Sequence, residues 1–214
     1  YNGQKFEVSA GLYWMQYKDQ FVLNGNLNEI GEAISENVAD SHRAGIELAG
    51  AWKPCSMFRW DANVTFSQNQ IKDYVAYLPN ADWSKGIAQP ARKHTTISFS
   101  PSVVANNRFT FDYRGFTASL TSQYIGRQYL DNMEVRENSL DAYFVSPLSA
   151  AYTFRLPSVK EVTIGATVYN LFNAKYETNG YSQSYVDGTG TVHHDPRFYP
   201  MAGTNFLVNV GLKF

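Results

Sequence analysis

The 214-residue chain carries 18 Lys and Arg against 19 Asp and Glu, a formal net charge of −1, which excludes a basic nucleic-acid surface or an acidic tail as its dominant feature. Aromatic residues make up 15% of the chain and charged residues 17%, leaving too much apolar surface for a disordered segment. Mean hydropathy is still −0.35, and no apolar run approaches the ~18–20 residues of a membrane-spanning helix.

A chain rich in aromatics and poor in charge, yet not hydrophobic on average, fits a wall in which every second residue faces an apolar medium. The pattern along the chain has that period. Phe6, Val8, Ala10, Leu12 and Trp14 alternate with Glu7, Ser9, Gly11 and Tyr13. Ala44, Ile46, Leu48, Gly50 and Trp52 form the next apolar set, followed by Trp60, Ala62, Val64 and Phe66. Ile97 and Phe99 carry it on, then Phe116, Ala118 and Leu120, then Leu148, Ala150, Tyr152 and Phe154. Val162, Ile164, Ala166 and Val168 precede a last set of Phe206, Val208, Val210, Leu212 and Phe214. A spacing of two puts each set on one face of a strand.

Eight strands are therefore predicted, over 4–23, 38–53, 57–77, 92–105, 115–130, 142–156, 160–181 and 203–214, and no segment has a helical period. Each holds the ~9–11 tilted residues that cross a bilayer. Pro101 and Pro147 fall inside two of them, where bulges or breaks are expected. The connections alternate in length. Lys53-Pro54-Cys55-Ser56, Tyr113-Arg114-Gly115 and Pro157-Ser158-Val159 are tight, whereas 24–37, 78–91, 131–141 and 182–202 are long and polar. Sorting of loop length by end is the up-and-down pattern of an antiparallel transmembrane β-barrel.

Two further features agree. The mid-strand apolar sets hold no Asp, Glu, Lys or Arg, each of which would cost ~2–4 kcal/mol at a bilayer midplane. Aromatics gather near strand ends, at Tyr13, Trp14 and Tyr17, at Tyr124 and Tyr129, and at Tyr169, Phe172 and Tyr176. Such rings suit the membrane interface. The opposite face is small: Ser9, Gly11, Gly45, Ala49, Ser119, Thr121, Gly165, Thr167, Asn209 and Gly211. These residues would underfill the lumen of a narrow barrel and suit a wide one facing water or a plug.

Cys55 is the single cysteine, so neither an intrachain disulfide nor a cysteine metal site is expected. Tyr1-Asn2-Gly3-Gln4 has no basic stretch leading into an apolar one, so no secretory signal is expected there, and the chain reads as a mature form or a fragment. No H-E-x-x-H, G-x-S-x-G or Walker loop occurs. His193-His194-Asp195 is the one metal-like cluster, and adjacent histidines in a strand point opposite ways, so it is read as a loop rather than a metal site. Asp187-Gly188-Thr189-Gly190 lacks a following helix and is read as a loop. The acidic run Glu29, Glu32 and Glu36 is read as loop solvation. No catalytic residue, metal or cofactor is expected.

Val168-Tyr169-Asn170-Leu171-Phe172-Asn173-Ala174-Lys175-Tyr176 resembles the N-L-F-[DN]-x-x-Y element in the next-to-last barrel strand of TonB-dependent outer-membrane receptors. Phe206 to Phe214 resembles the closing strand of that family, and Tyr199-Pro200-Met201-Ala202-Gly203 its P-x-x-G lead-in. Ser41-His42-Arg43-Ala44-Gly45-Ile46-Glu47-Leu48 is similar to its x-R-x-x-G-x-E-L strand, and Pro90-Ala91-Arg92-Lys93-His94 to the start of the strand after it. The stretch Ser102 to Arg114 looks like an insertion, and with Tyr129-Leu130-Asp131-Asn132 it resembles receptors of Bacteroidetes type.

The resemblance implies an all-β fold in which residues 1–214 are the C-terminal segment of a ~22-stranded barrel, without the plug domain and earlier strands. It implies active transport of a scarce nutrient (an iron chelate, cobalamin or an oligosaccharide) across the bacterial outer membrane, with no bond chemistry. The implied partners are outer-membrane lipid, the TonB energy-coupling system acting through the plug, the barrel-assembly machinery and the transported small-molecule ligand. No nucleic-acid partner is expected. Phe214 would be the terminal aromatic read during barrel assembly. External loops and the upper inner wall would contact the ligand, making Tyr77, Trp83, Tyr181, Tyr185, His193, His194, Arg197 and Tyr199 candidates. Rings would stack on sugars or catecholates, and Arg and His would attract anions. Two other readings stay open: a self-contained eight-stranded barrel with a structural or small-ligand role, and a barrel enzyme using His193, His194 and Asp195.

Overall fold

Alternating β-branched, aromatic and small polar residues produce long strands, eight of which form a continuous wall. The computed structural model describes residues 1–28, 30–157 and 159–214. The wall strands are β1 (Phe6–Leu27), β2 (Ala33–Cys55), β3 (Phe58–Tyr74), β4 (Val103–Tyr113), β5 (Phe116–Ile125), β6 (Leu148–Leu156), β7 (Val159–Tyr169) and β8 (Asn205–Lys213). They are hydrogen-bonded in chain order, each antiparallel to the next. Among the described residues β1 and β8 do not pair with each other, so the sheet stays open. No helix of the described residues is long and apolar enough to cross a membrane.

Register carries the apolar sets onto one face of the sheet, except Ile97 and Phe99, which lie outside the wall strands, Ile97 buried in the loop-end cluster. Leu12 lies opposite Ile46, Ile46 opposite Phe66, and Phe66 opposite Val103. Further along, Leu120 faces Leu148, Leu148 faces Val168, and Val168 faces Phe206. A one-residue slip anywhere would turn a strand's apolar set to the other side. These side chains are bare, with Leu12 82% and Phe206 76% exposed. A face this long and apolar needs a partner medium. Near the short turns it ends in rings, where Trp60 stacks on Phe109 at 5.9 Å and Phe58 packs by Trp52. Asn107, opposite Ala62 and Ser122, is a polar interruption of this face.

The other face is knitted by small polar groups. Ser149 and Thr167 hydroxyls meet at 3.0 Å, Thr153 and Thr163 at 2.9 Å, and the Asn106 amide donates to Asn63 Oδ1 at 3.1 Å. Tyr13 lies on this face rather than on the aromatic fringe expected of it, directly across from Gly45. A Cβ at position 45 would meet the Tyr13 hydroxyl at 2.5 Å and the Phe66 carbonyl oxygen at 2.6 Å. Glycine is required there by this close approach.

Several predicted boundaries move. Ser102 to Arg114 is no insertion, because Val103–Tyr113 is a full wall strand paired on both sides. Both prolines interrupt strands as expected. Arg92–Thr96 pairs with β3, then the chain jogs through Pro101 before β4. Tyr143–Val145 pairs with β5 ahead of Pro147 and β6. The predicted strand 160–181 breaks at Asn170, where φ is 50°. The loop predicted over 24–37 is shorter, because β1 and β2 extend into it. Glu29 of the acidic run and Ser158 of the third tight turn lie outside the described residues.

Candidate functional site

The main cluster of buried apolar residues sits at the long-loop end, on the small-residue side of the sheet. Val22, Val38, Ile71, Tyr74 and Ile97 from the strand tops meet Leu78, Met133 and Val186 from the connections. Two aspartates place the strand tops there. Asp19 and Asp73 both adopt φ 52°, a left-handed conformation that Asp tolerates better than most residues. Such an irregularity re-aims the next side chains of the strand. Ile71 is buried before Asp73, and Tyr74 is buried directly after it. The Tyr74 hydroxyl donates to Glu36 Oε1 at 2.6 Å. Burial, and then this carboxylate, hold the Tyr74 hydroxyl well above the ordinary tyrosine range.

Over this base stand three hairpins. Tyr77–Pro79 pairs with Gly86–Ala88, Tyr185–Val186 with Val192–His193, and Glu177–Ser182 with Pro196–Pro200. A bridge between Asn80 and Val186 joins the first two. All eight candidate contact residues lie on these hairpins or their tips, but they do not form one cluster. Tyr77 and Trp83 project from the first hairpin, both strongly exposed, and Trp83 sits at its tip with φ 61°. The Tyr185 ring stacks on His193 at 5.0 Å. Tyr181 packs near Tyr199 at 6.2 Å, and Arg197 donates to Asp195 Oδ2 at 2.7 Å.

The two adjacent histidines point apart, as strand geometry requires. His193 Nε2 lies 2.7 Å from Asp187 Oδ2. That carboxylate also accepts from the Thr189 hydroxyl and from the Thr189 and Thr191 backbone N–H groups. These donors, Thr189 first, hold Asp187 well below the usual carboxylate range. So Asp187-Gly188-Thr189-Gly190 is an ordered turn built on one aspartate. His194 turns inward, its Nδ1 2.8 Å from Ser184 Oγ and 3.1 Å from Asn138 Nδ2. Asn138 Nδ2 in turn donates to Asp131 Oδ2 at 2.7 Å. Burial pushes the Asp131 carboxyl up.

No group of three or more metal-ligating residues occurs among the described residues. The Ser184–His194 contact has the spacing of a nucleophile and its base. Yet Ser184 is only 2% exposed, and Asp131 reaches the ring through Asn138 rather than directly.

Sequence reasoning missed Asn138 and Ser184 and gave Asp131, part of the Tyr129–Asn132 run, no place at this site, because Ser184 reaches the other two only in the fold. It also missed Arg92, whose exposed guanidinium lines a pocket with His194 and Tyr74. A second concavity of about 390 Å³ lies on the inner face beside Asn106, Gln123, Tyr169 and Tyr176. The Tyr143 and Tyr176 rings meet there at 4.7 Å. Phe214 ends the open edge of the sheet, 77% exposed.

Comparison with known proteins gives one family and one architecture. A family model described as a TonB-dependent receptor-like β-barrel matches residues 1–171. Among solved structures, the ferric yersiniabactin uptake receptor FyuA from Yersinia pestis superposes with a TM-score of 0.62 at 17% identity, over 98% of this chain and 27% of that one. The siderophore receptor PiuA from Acinetobacter baumannii gives 0.66 at 14% identity, over 96% of this chain and 26% of that one. The copper transporter OprC gives 0.65 at 18% identity, over 98% and 30%. At such identities the likeness is one of fold. This chain thus spans between a quarter and a third of the length of these receptors. No curated protein matches it.

Proposed function

The chain belongs to the TonB-dependent receptor-like β-barrel family, and on that premise we propose that it forms the last eight wall strands and outer loops of a nutrient importer in the bacterial outer membrane. The observation that carries this is the open sheet. Its apolar sets fall on one face from Leu12 to Phe206, interrupted at Asn107 and Ser122, while its other face is small and polar. Lipid covers the first face. The second lines a lumen wide enough for a plug. A self-contained barrel would need β1 against β8, and that pairing is absent among the described residues.

Work is divided by position. The wall holds the protein in the membrane. The outer hairpins collect the cargo, with Tyr77, Trp83, Tyr181, Tyr185 and Tyr199 supplying ring faces and His193, His194 and Arg197 supplying donors. Energy enters through the plug from the TonB system and opens the path. No bond in the cargo is made or broken by these residues. Siderophore and copper uptake by the neighbours favours a scarce metal or its chelate as cargo.

The test is energised uptake. Cells making the intact receptor should accumulate radiolabelled iron chelate or copper, and lose the accumulation when the TonB energy-coupling protein is deleted. Accumulation that persists without energy coupling contradicts active import.

A further inference from the structure

A pocket of about 230 Å³ opens at the long-loop end between the top of β3 and the outer hairpins. Ala76, Leu78, Met133 and Val192 make its apolar wall. Arg92, His194 and Gln89 also line it. Arg92 is exposed and makes no ion pair among the described residues.

The neighbours of His194 fix its tautomer. An amide nitrogen only donates, and a carboxylate only accepts. Asn138 Nδ2 lies 2.7 Å from Asp131 Oδ2, which fixes the way the amide points. Its second N–H is shared between Ser184 Oγ and His194 Nδ1, each at 3.1 Å. In this amide orientation, which leaves Asn138 Oδ1 buried without a partner, His194 Nδ1 accepts and the ring proton sits on Nε2. The buried edge of the ring is occupied by Ser184 and Asn138. The edge left for the pocket carries the Nε2–H donor. Asp131 thus orients Asn138, and Asn138 orients the imidazole.

The nearby carboxylates are turned to inside donors. Asp131 accepts from Asn138 and from the Met133 N–H, and Glu36 accepts from the Tyr74 hydroxyl. Neither carboxylate lines this pocket. The lining thus offers a guanidinium, an imidazole and an amide beside an apolar wall.

We propose that this pocket is an anion subsite, taking a carboxylate or phenolate borne on a small apolar body. The inference rests on the receptor reading above and names the chemistry of one end of the cargo. Asp131 and Asn138 act as positioning residues through His194.

The experiment titrates the purified intact receptor with benzoate and, separately, with benzamide, its neutral analogue, by isothermal titration calorimetry. Benzoate should bind and benzamide should bind at least about tenfold more weakly, as loss of a charge-assisted contact predicts. Arg92→Gln should weaken benzoate about tenfold and leave benzamide unchanged, while Arg92→Lys should recover part of the loss. Arg92 is exposed, and heat-modifiable gel mobility checks that each variant is folded. The proposal is overturned if the wild type does not bind benzoate, if benzamide binds equally, or if Arg92→Gln binds as the wild type does. Energised cargo uptake is measured alongside. Failure of benzoate binding with uptake intact removes only the subsite, and failure of uptake removes the receptor reading itself.

Discussion

The side-chain amide of Asn170 donates to the carbonyl oxygen of Ala202 at 3.1 Å, tying the end of β7 to the lead-in of β8. The same side chain donates to the Ala174 carbonyl and accepts from the Ala174 N–H, both at 2.9 Å. Thr204 returns the tie, its hydroxyl donating to the Asn170 carbonyl at 2.7 Å and its N–H to Asn173 Oδ1 at 3.1 Å. Asn170 and Asn173 adopt φ 50° and 52°, which Asn tolerates better than Ala. The N-L-F-N element is therefore a clasp between two strands.

Asn170→Ala removes three hydrogen bonds and places Ala in a left-handed conformation. It should destabilise the folded wall by about 2–4 kcal/mol. Asn170→Asp keeps the acceptor and the conformation, and should cost less. Urea unfolding of the intact receptor, followed by heat-modifiable mobility, measures both. Equal unfolding midpoints for wild type and Asn170→Ala would show that the clasp does not hold the two strands.

Gly45 and Gly11 make a matched pair on the inner face. A Cβ at Gly45 collides with the Tyr13 hydroxyl and the Phe66 carbonyl, whereas one at Gly11 meets nothing within 4 Å. Gly45→Ala should lower stability by about 1–3 kcal/mol, because the Phe66 backbone has to shift. Gly11→Ala should be neutral or slightly stabilising. The same urea assay distinguishes them, and equal effects would contradict the close approach.

Asp131 gives a pH dependence with a definite sign. Burial raises its folded-state pKa above that of the unfolded chain, so the folded state binds more protons between the two values. Its contribution to stability is then fully present below about pH 4 and is lost as pH rises through the raised value. Amide exchange at Leu130 and Leu140, both fully buried, should speed up relative to the wall strands as pH rises through that window, after correction for intrinsic rates. Asp131→Asn should flatten the dependence. An unchanged dependence in that variant would assign the proton to another group.

Phe214 closes the apolar set of β8 and lies exposed at its end. Its deletion from the intact receptor should lower outer-membrane insertion, read as the fraction of receptor in the membrane pellet. Insertion unchanged from the wild type would deny it an assembly role.

Much of the wall was legible in the sequence because its register is written in alternation. Leu12, Ile46 and Phe66 share a face in the chain pattern and lie in one row of the sheet. The fourth strand was misplaced because Asn106, Asn107 and Arg108 interrupt its pattern with polar groups, two of them inward and Asn107 outward. Pairing from both neighbours overrides that weak local signal. Tyr13 was given to the fringe on residue type alone, although its odd position already put it across from Gly45. The loop aromatics were legible as loop residues. Their grouping was not, because His194 meets Asp131 through Asn138 and Ser184, contacts that exist only once the hairpins have folded together.

Cysteine accessibility tests the orientation of the wall in its membrane most directly. In the intact receptor with Cys55 as the single cysteine, a membrane-impermeant maleimide applied to whole cells should leave it unlabelled, since the proposed orientation turns the β2–β3 turn to the periplasm. In a Cys55→Ser background, Thr189→Cys at the tip of an outer hairpin should be labelled rapidly in whole cells. Labelling of Cys55 in intact cells, with protection of the cysteine at 189, would contradict the assignment of lipid-facing wall and ligand-collecting loops.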